Sequence, residues 1–211
     1  MVFGIGLSKT GTSSLAEALK VLGYKVKHYP LDSTEWTGPK KIQAVLPVLN
    51  SLNRLLGKEF FSYRETLYNN YENRFNLSYF ENYDAACDLP LALYYKELHE
   101  YYPEAKFILT TRDLNQWLQS AEKHFTVGVR SIFQHNRNRL RLDIYGSIEF
   151  DRSKFETAYN NHINDVREFF KDKDNYLELD ICSGDGYQKL CPFLEREIIA
   201  DSFPLANIAA I

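Results

Sequence analysis

Residues 2–15 of the chain are Val2-Phe3-Gly4-Ile5-Gly6-Leu7-Ser8-Lys9-Thr10-Gly11-Thr12-Ser13-Ser14-Leu15. The apolar and glycine residues up to Leu7 predict a buried strand of a parallel sheet. The polar residues that follow predict a loop, and Ser13 or Ser14 can cap a helix that carries apolar residues at helical spacing. A strand, a loop and a helix in this order form the opening unit of a parallel α/β sheet.

The remainder of the chain continues the alternation of strands and helices. Pro90 is expected in the first turn of the helix predicted at Leu91–Tyr102. The alternation favours an α/β fold, with a parallel sheet that has helices on both faces and is of the P-loop nucleotide-binding type. The predicted strands are Tyr24–Tyr29, Tyr83–Asp88, Lys106–Thr111 and Tyr176–Ile181, and the later helices are Leu91–Tyr102, Leu114–Phe125, 153–171 and Tyr187–Leu194.

Two segments depart from this alternation. Residues of about 31–80 show helical patterns around Ile42–Leu56 and Arg64–Phe80 with few strand signals, which predicts a helical insertion over the sheet. Residues 126–150 show no clear pattern. Neither a linker nor a repeat divides the sequence, so residues 1–211 are predicted to form a single domain.

Composition limits the classes of partner. The net charge of −3 provides no overall field that would attract nucleic acid or an anionic membrane, so neither is expected as a partner. A polyanionic ligand would need positive charge concentrated at its own site. The three cysteines are widely spaced, lack a zinc-binding pattern and fit a reducing compartment. The start of the chain lacks the basic region and length of a signal peptide, and a cytoplasmic protein is expected.

The loop after the first strand has the properties of an anion-binding site. Ligands of open parallel sheets bind beyond the carboxyl ends of the strands, where this loop lies. Gly11 permits a tight turn, Lys9 adds a full positive charge, and residues 12–14 bring the free N–H groups of a helix start. The residues expected to bind the anion are Ser8, Lys9, Thr10, Gly11, Thr12, Ser13 and Ser14.

The order of residues in this loop differs from that of standard ATP- and GTP-binding loops. Those loops follow G-x-x-x-x-G-K-[ST], whereas Lys9 precedes the turn glycine Gly11 in this chain. The difference disfavours a standard nucleoside triphosphate enzyme. One alternative is a P-loop kinase, in which Lys9 and Thr10 hold phosphate and magnesium and Asp88 supplies a carboxylate. A glycine-bearing turn without a ligand is a second alternative.

The segment Leu7–Leu15 resembles the 5′-phosphosulfate loop of sulfotransferases, in which K-[ST]-G-[ST] opens the first helix. A second resemblance to this family lies at the end of the predicted strand 106–111. Arg112 ends this strand, and Ser120 comes eight residues later. The family's arginine and serine at these places bind the 3′-phosphate of the sulfuryl donor 3′-phosphoadenosine-5′-phosphosulfate (PAPS). The resemblance therefore implies PAPS as co-substrate, no metal, and a phosphate site of Arg112 and Ser120. A structural salt bridge from Arg112 to Asp113 or to another carboxylate is the alternative.

The resemblance also suggests catalytic residues. Sulfuryl transfer needs a base for the acceptor proton and positive charge near the leaving phosphate, and Lys9 is expected to supply that charge. Many sulfotransferases carry a histidine in a T-H-L-P-like stretch, where this chain has Cys87-Asp88-Leu89-Pro90. Asp88 is therefore the predicted base, with a cap of the helix at Pro90 as its alternative role. His28 is the second candidate base, with a buried core histidine as the alternative.

The sequence defines the acceptor only as a small molecule or glycan with a hydroxyl or amine group. The aromatic content of 15% is consistent with a filled core and with an apolar acceptor cleft. The insertion at about 31–80 is predicted to cap the acceptor side. Arg137, Arg139 and Arg141 either form a solvated face or close over an anionic donor or acceptor. A nucleotide-binding protein of the same fold without catalysis remains a third alternative.

Overall fold

The computed structural model describes residues 1–31, 34–36, 73–125, 135–198 and 202–206. Most of the insertion predicted at about 31–80 lies outside these residues, including the helical pattern at Ile42–Leu56. The prediction that this segment caps the acceptor side stays a prediction.

Five parallel strands form the central sheet. They are β1 (Val2–Gly4), β2 (Val26–His28), β5 (Ala85–Cys87), β6 (Lys106–Thr110) and β7 (Tyr176–Leu179), in the spatial order β2-β5-β1-β6-β7. Two short strands, β3 (Thr34–Trp36) and β4 (Asn73–Phe75), pair antiparallel as a separate ladder. Because all five strands of the main sheet run in one direction, their carboxyl ends meet at a single edge.

Helices cover both faces of the sheet. They are α1 (Thr12–Val21), α2 (Tyr95–Tyr101), α3 (Leu114–Phe125), α4 (His135–Tyr145), α5 (Arg152–Phe170) and α6 (Tyr187–Leu194). Successive strand residues point to opposite faces: Phe107 belongs to a core with α3 and α5, and Ile108 to a core with α1 and α6. The predicted α/β fold class is confirmed. Along the described residues, no helix is long and apolar enough to cross a bilayer.

The helix starts differ from the sequence prediction at two places. Gly11, with a φ of 100°, precedes α1, and Ser13 and Ser14 lie inside that helix and do not cap it. A glycine can adopt this left-handed conformation without the penalty of a Cβ atom. Helix α2 begins at Tyr95, so the prediction that Pro90 lies in its first turn is wrong.

Three further elements were not predicted: strand β3 within the segment assigned to a helical insertion, strand β4, and helix α4. Strand β4 occupies Asn73–Phe75, where a helical pattern was assigned to Arg64–Phe80. Helix α4 lies within 126–150, where no element was predicted. Its buried positions include polar side chains, so an apolar repeat is not visible in its sequence.

Candidate active site

The loop between β1 and α1 is fixed tightly to the neighbouring strand β6. A Cβ atom at Gly6 would lie 2.0 Å from Oγ1 of Thr110, so only glycine fits there. The Thr10 hydroxyl donates to the Leu7 carbonyl at 2.7 Å and lies 2.6 Å from Oγ1 of Thr110. Because Thr10 is 0% exposed, its hydroxyl holds the loop in place and does not face a ligand.

A tryptophan supports the same loop from α3. Nε1 of Trp117 donates a hydrogen bond to the carbonyl oxygen of Ser8 at 2.9 Å, and the Trp117 side chain is fully buried. The backbone of Lys9 is in the left-handed region, with a φ of 77°. Such a conformation is unfavourable for a residue with a side chain and is often found at functional sites.

The start of α1 presents the donors that an anion needs. The first N–H groups of a helix have no acceptor within the helix and carry its positive dipole end. The hydroxyl groups near these N–H groups differ in their surroundings. Thr12 is buried, and the buried Ser14 hydroxyl accepts the N–H of Ala206 at 2.9 Å, so it anchors the carboxyl-terminal segment. Ser13 is only partly buried, and its hydroxyl lies 3.4 Å from Nε2 of His28.

Arg112 lies directly after β6 and reaches the loop of Lys9. Its Nη1 donates to the Lys9 carbonyl oxygen at 3.3 Å. The Tyr159 hydroxyl accepts the Arg112 N–H at 3.1 Å and donates to the Arg112 carbonyl, which fixes the Arg112 backbone. Nε of Arg112 is buried without a hydrogen-bond partner in the described part of the chain. A buried guanidinium N–H without a partner fits an anionic oxygen as its acceptor.

A salt bridge between Arg112 and Asp113 is not observed. Asp113 does not pair with Arg112; its Oδ1 accepts the backbone N–H of Gln116 at 3.0 Å, at the start of α3. Within the described ranges, no carboxylate lies at salt-bridge distance from Arg112. A cleft of about 450 Å³ begins at Arg112 and follows the ends of β6 and β7. The residues that line this cleft include Thr111, Asn160, Asn164, Asp180 and Lys189. Ser120 lies half-buried on α3 and does not line the cleft.

The two candidate bases, His28 and Asp88, lie side by side. Strands β2 and β5 are neighbours with His28 opposite Cys87, so His28 and Asp88 meet at the carboxyl edge of the sheet. Nε2 of His28 lies 3.3 Å from Oδ2 of Asp88. Oδ1 of Asp88 accepts the Ser8 hydroxyl at 2.6 Å and the Leu89 N–H at 2.8 Å. The phosphate loop and both candidate bases therefore belong to one hydrogen-bonded unit.

The surroundings of Asp88 favour its charged form. Asp88 is 6% exposed, and burial by itself raises the pKa of a carboxyl group. The hydrogen bond and charge of His28, together with the bonds from Ser8 and the Leu89 N–H, outweigh burial and hold the pKa of Asp88 below its usual value. The alternative role of Asp88 as a cap of a helix at Pro90 is wrong, because α2 begins at Tyr95.

Two histidines without predicted roles also lie near the loop. His162 is partly buried, and its Nε2 lies 2.8 Å from the carbonyl oxygen of Ile5; burial lowers the pKa of His162 to about 4. His124 is exposed at the end of α3, yet desolvation and the positive charges of Lys9 and Arg141 lower its pKa. The sequence predicts a surface position for His124, where the structure places it, and no role for His162, because the neighbours of His162 are distant along the chain.

Comparisons with known proteins identify the family of the chain. The sulfotransferase domain family matches residues 1–210, and the chain belongs to this family. The family predicted from the motifs is therefore confirmed. A curated relative, Ava biosynthesis cluster protein M of Aspergillus versicolor, is 27% identical over 222 residues, which cover 96% of this chain and 79% of that protein.

Proposed function

We propose that the protein is a sulfotransferase that moves a sulfuryl group from PAPS to a hydroxyl or amine of a small-molecule or glycan acceptor. The observation that carries this proposal is the hydrogen bond from Arg112 Nη1 to the Lys9 carbonyl. This contact joins the two candidate phosphate sites at one edge of the sheet. A single nucleotide with phosphates at both ends can therefore reach both.

The residues present fit such a donor. The 5′-phosphosulfate is assigned to Lys9 and the N–H groups at the start of α1, which resembles other helix-based phosphate sites. The 3′-phosphate is assigned to Arg112, whose unpartnered Nε provides a donor. Ser120 is proposed to complete that site, and the nucleoside is assigned to the cleft that begins at Arg112.

His28 and Asp88 are proposed to work as a pair. When Nε2 of His28 donates to the Asp88 carboxylate, Nδ1 is the basic nitrogen. The acceptor hydroxyl gives its proton to His28 as its oxygen bonds to sulfur. The bond between sulfur and the bridging phosphate oxygen breaks, and the electron pair stays on the departing nucleotide. Lys9 and the helix start stabilise the negative charge that develops there.

A cytoplasmic location is part of the proposal. All three cysteines are unpaired, as expected in a reducing compartment. The net charge of −3 supports the further proposal that neither nucleic acid nor a membrane surface is a partner.

Binding of the desulfated nucleotide 3′-phosphoadenosine 5′-phosphate (PAP) tests this function. Calorimetry and thermal unfolding should show that PAP binds and stabilises the protein without magnesium, and that Mg·ATP does so poorly. Labelled PAPS should then transfer its sulfuryl group to a member of an acceptor panel. Stabilisation by Mg·ATP alone would support a kinase instead, and PAP binding without any transfer would support a non-catalytic nucleotide-binding protein.

A further inference from the structure

Helix α4 has a buried polar face that the proposed donor site does not use. Asn138 is 1% exposed, and both polar atoms of its amide lack hydrogen-bond partners among the described residues. Tyr145, two turns later, is 1% exposed, and its hydroxyl also lacks a partner with normal hydrogen-bond geometry in the part of the chain that the structure describes. Buried polar groups without partners are rare, because each costs free energy unless a ligand or water satisfies it.

Two arginines lie on the same side of α4. Arg137 and Arg141 are four residues apart and therefore share a helix face. Cζ of Arg137 lies 5.6 Å from the centre of the Tyr29 ring. Arg141 is 8% exposed, and its Nη1 donates to the Ile148 carbonyl at 3.2 Å. Neither arginine has a carboxylate at salt-bridge distance in the described part of the chain.

The arginine between them is different. Nε of Arg139 lies 2.9 Å from Oδ1 of Asp143, so its charge is already compensated within the helix. The basic run predicted from sequence therefore contains one paired arginine and two arginines whose guanidinium groups, among the residues that the structure describes, contact neutral groups. Two guanidinium groups that are partly removed from water favour an anion beside them.

This helix face lies beside the His28–Asp88 pair. Tyr29 directly follows His28, and its N–H donates to the Cys87 carbonyl at 2.9 Å. Burial raises the pKa of Tyr29 above its usual value. The positive charge of Arg137 opposes this rise, and the negative charge of Asp88 adds to it. The Tyr145 hydroxyl lies near Ser8 and Asp88. Burial raises the pKa of Tyr145, and the negative charge of Asp88 raises it further. The arginines and the catalytic pair therefore surround one region.

The sheet order separates this region from the nucleotide cleft. The cleft that begins at Arg112 follows β6 and β7, whereas Tyr29 and His28 end β2, on the other side of β1. Neighbouring strands are about 4.8 Å apart, so the two regions flank the phosphate loop from opposite sides. A group held by Arg137 therefore belongs on the acceptor side and not on the nucleoside side.

We infer that the acceptor carries a negatively charged group close to its reacting hydroxyl, and that Arg137 and Arg141 bind this group while Asn138 and Tyr145 supply hydrogen bonds. The inference rests on the proposed function. It defines the acceptor class as hydroxyl compounds that bear an anion such as a carboxylate.

Calorimetry on the PAP-saturated protein tests this inference. The probes are hydroxy acids whose carboxylate lies close to the hydroxyl, including 2-hydroxyphenylacetate and mandelate, and the amide of each acid, which has the same shape without the charge. At least one acid should bind about tenfold more tightly than its amide. Equal binding of every acid and its amide, or no measurable binding of either, would overturn the inference.

Two variants locate the effect. Arg137→Gln should abolish the preference for the acid and leave PAP affinity within about twofold, whereas Arg139→Gln removes the same charge from the same helix and should keep the preference. Loss of the preference in both variants would show a general charge effect and would contradict the assigned site. Failure of PAP to bind the wild-type protein would instead remove the proposed function, and the inference with it.

Discussion

The Ser8 hydroxyl donates a hydrogen bond of 2.6 Å to Oδ1 of Asp88, although 80 residues separate them in the chain. Ser8 belongs to the phosphate loop, and Asp88 belongs to the proposed catalytic pair. The bond therefore links the proposed site of the leaving phosphate to the proposed site of proton transfer. Under the proposed mechanism, movement of the loop alters the position of the carboxylate that orients His28.

Substitution of Ser8 by alanine should affect both stability and catalysis. The buried Asp88 carboxylate would lose one of its donors, at a cost of about 1–3 kcal/mol in the free energy of unfolding. Denaturant unfolding at pH 7 measures this cost. Ser78→Ala is the control, because Ser78 is exposed and bonds only locally to Asn76. Equal stability of the two variants would contradict the role of the Ser8–Asp88 bond.

Substitution of Lys9 by glutamine should slow transfer more than it weakens donor binding. If the ammonium group stabilises charge on the leaving phosphate, kcat/KM should fall by an amount equivalent to about 2–4 kcal/mol. PAP affinity, measured by calorimetry, should change much less. A loss of PAP affinity as large as the loss of rate would show that Lys9 acts in binding and not in the transition state.

Substitution of Arg112 by glutamine should weaken PAP binding by about 10- to 100-fold, because a phosphate loses a charged, bidentate donor. Arg167→Gln is the matched control. Arg167 lines the same cleft, but its Nε already donates to Oε2 of Glu178 at 2.8 Å. Calorimetry with PAP compares the two. An affinity in Arg112→Gln no lower than in the control would remove the 3′-phosphate assignment.

His28 and Asp88 can be distinguished by their variants. His28→Asn should abolish transfer if His28 accepts the proton. Asp88→Asn should lower kcat by about 10²- to 10⁴-fold, because the histidine would lose the group that orients it. Both variants should bind PAP nearly as well as the wild type. Near-normal transfer by His28→Asn would leave Asp88 as the base.

Stability should fall in mild acid because of His162. Its folded-state pKa of about 4 lies below the ordinary histidine value of 6.5, so the unfolded chain binds the proton first. The contribution of His162 to the free energy of unfolding is fully present above pH 6.5, and it is lost as the pH falls from 6.5 towards 4. Because the ring is partly exposed, the expected loss is on the order of 1–2 kcal/mol.

His162→Gln keeps a donor for the Ile5 carbonyl but cannot titrate, so its stability should be flatter over this range. Urea unfolding at several pH values compares the two proteins. Parallel pH curves for the wild type and the variant would show that other groups cause the acid sensitivity.

The parts of the fold that the sequence predicted best are those with local signals. The apolar run of β6 and the helix after Arg112 were placed within one residue, because an apolar strand and an amphipathic helix each carry their own periodicity. Trp117, on this helix, lies in the core. Its hydrogen bond to Ser8 could not be predicted, since it joins residues more than 100 positions apart.

The parts that were missed depend on tertiary neighbours. Helix α4 buries Asn138, Arg141 and Tyr145, so the apolar pattern that signals a buried face is absent. The capping role considered for Asp88 depended on a helix at Pro90. The observed role depends on Ser8 and His28, which reach Asp88 only after β1, β2 and β5 have aligned.

The lack of room at Gly6 has a consequence for donor selection. Because a side chain at Gly6 would collide with Thr110, this residue packs closely against β6, the strand that precedes Arg112, and holds the turn that carries Lys9 in place. The distance between the two proposed phosphate sites is therefore set by the backbone. Nucleotides whose two anionic ends are spaced too closely or too widely will engage only one site.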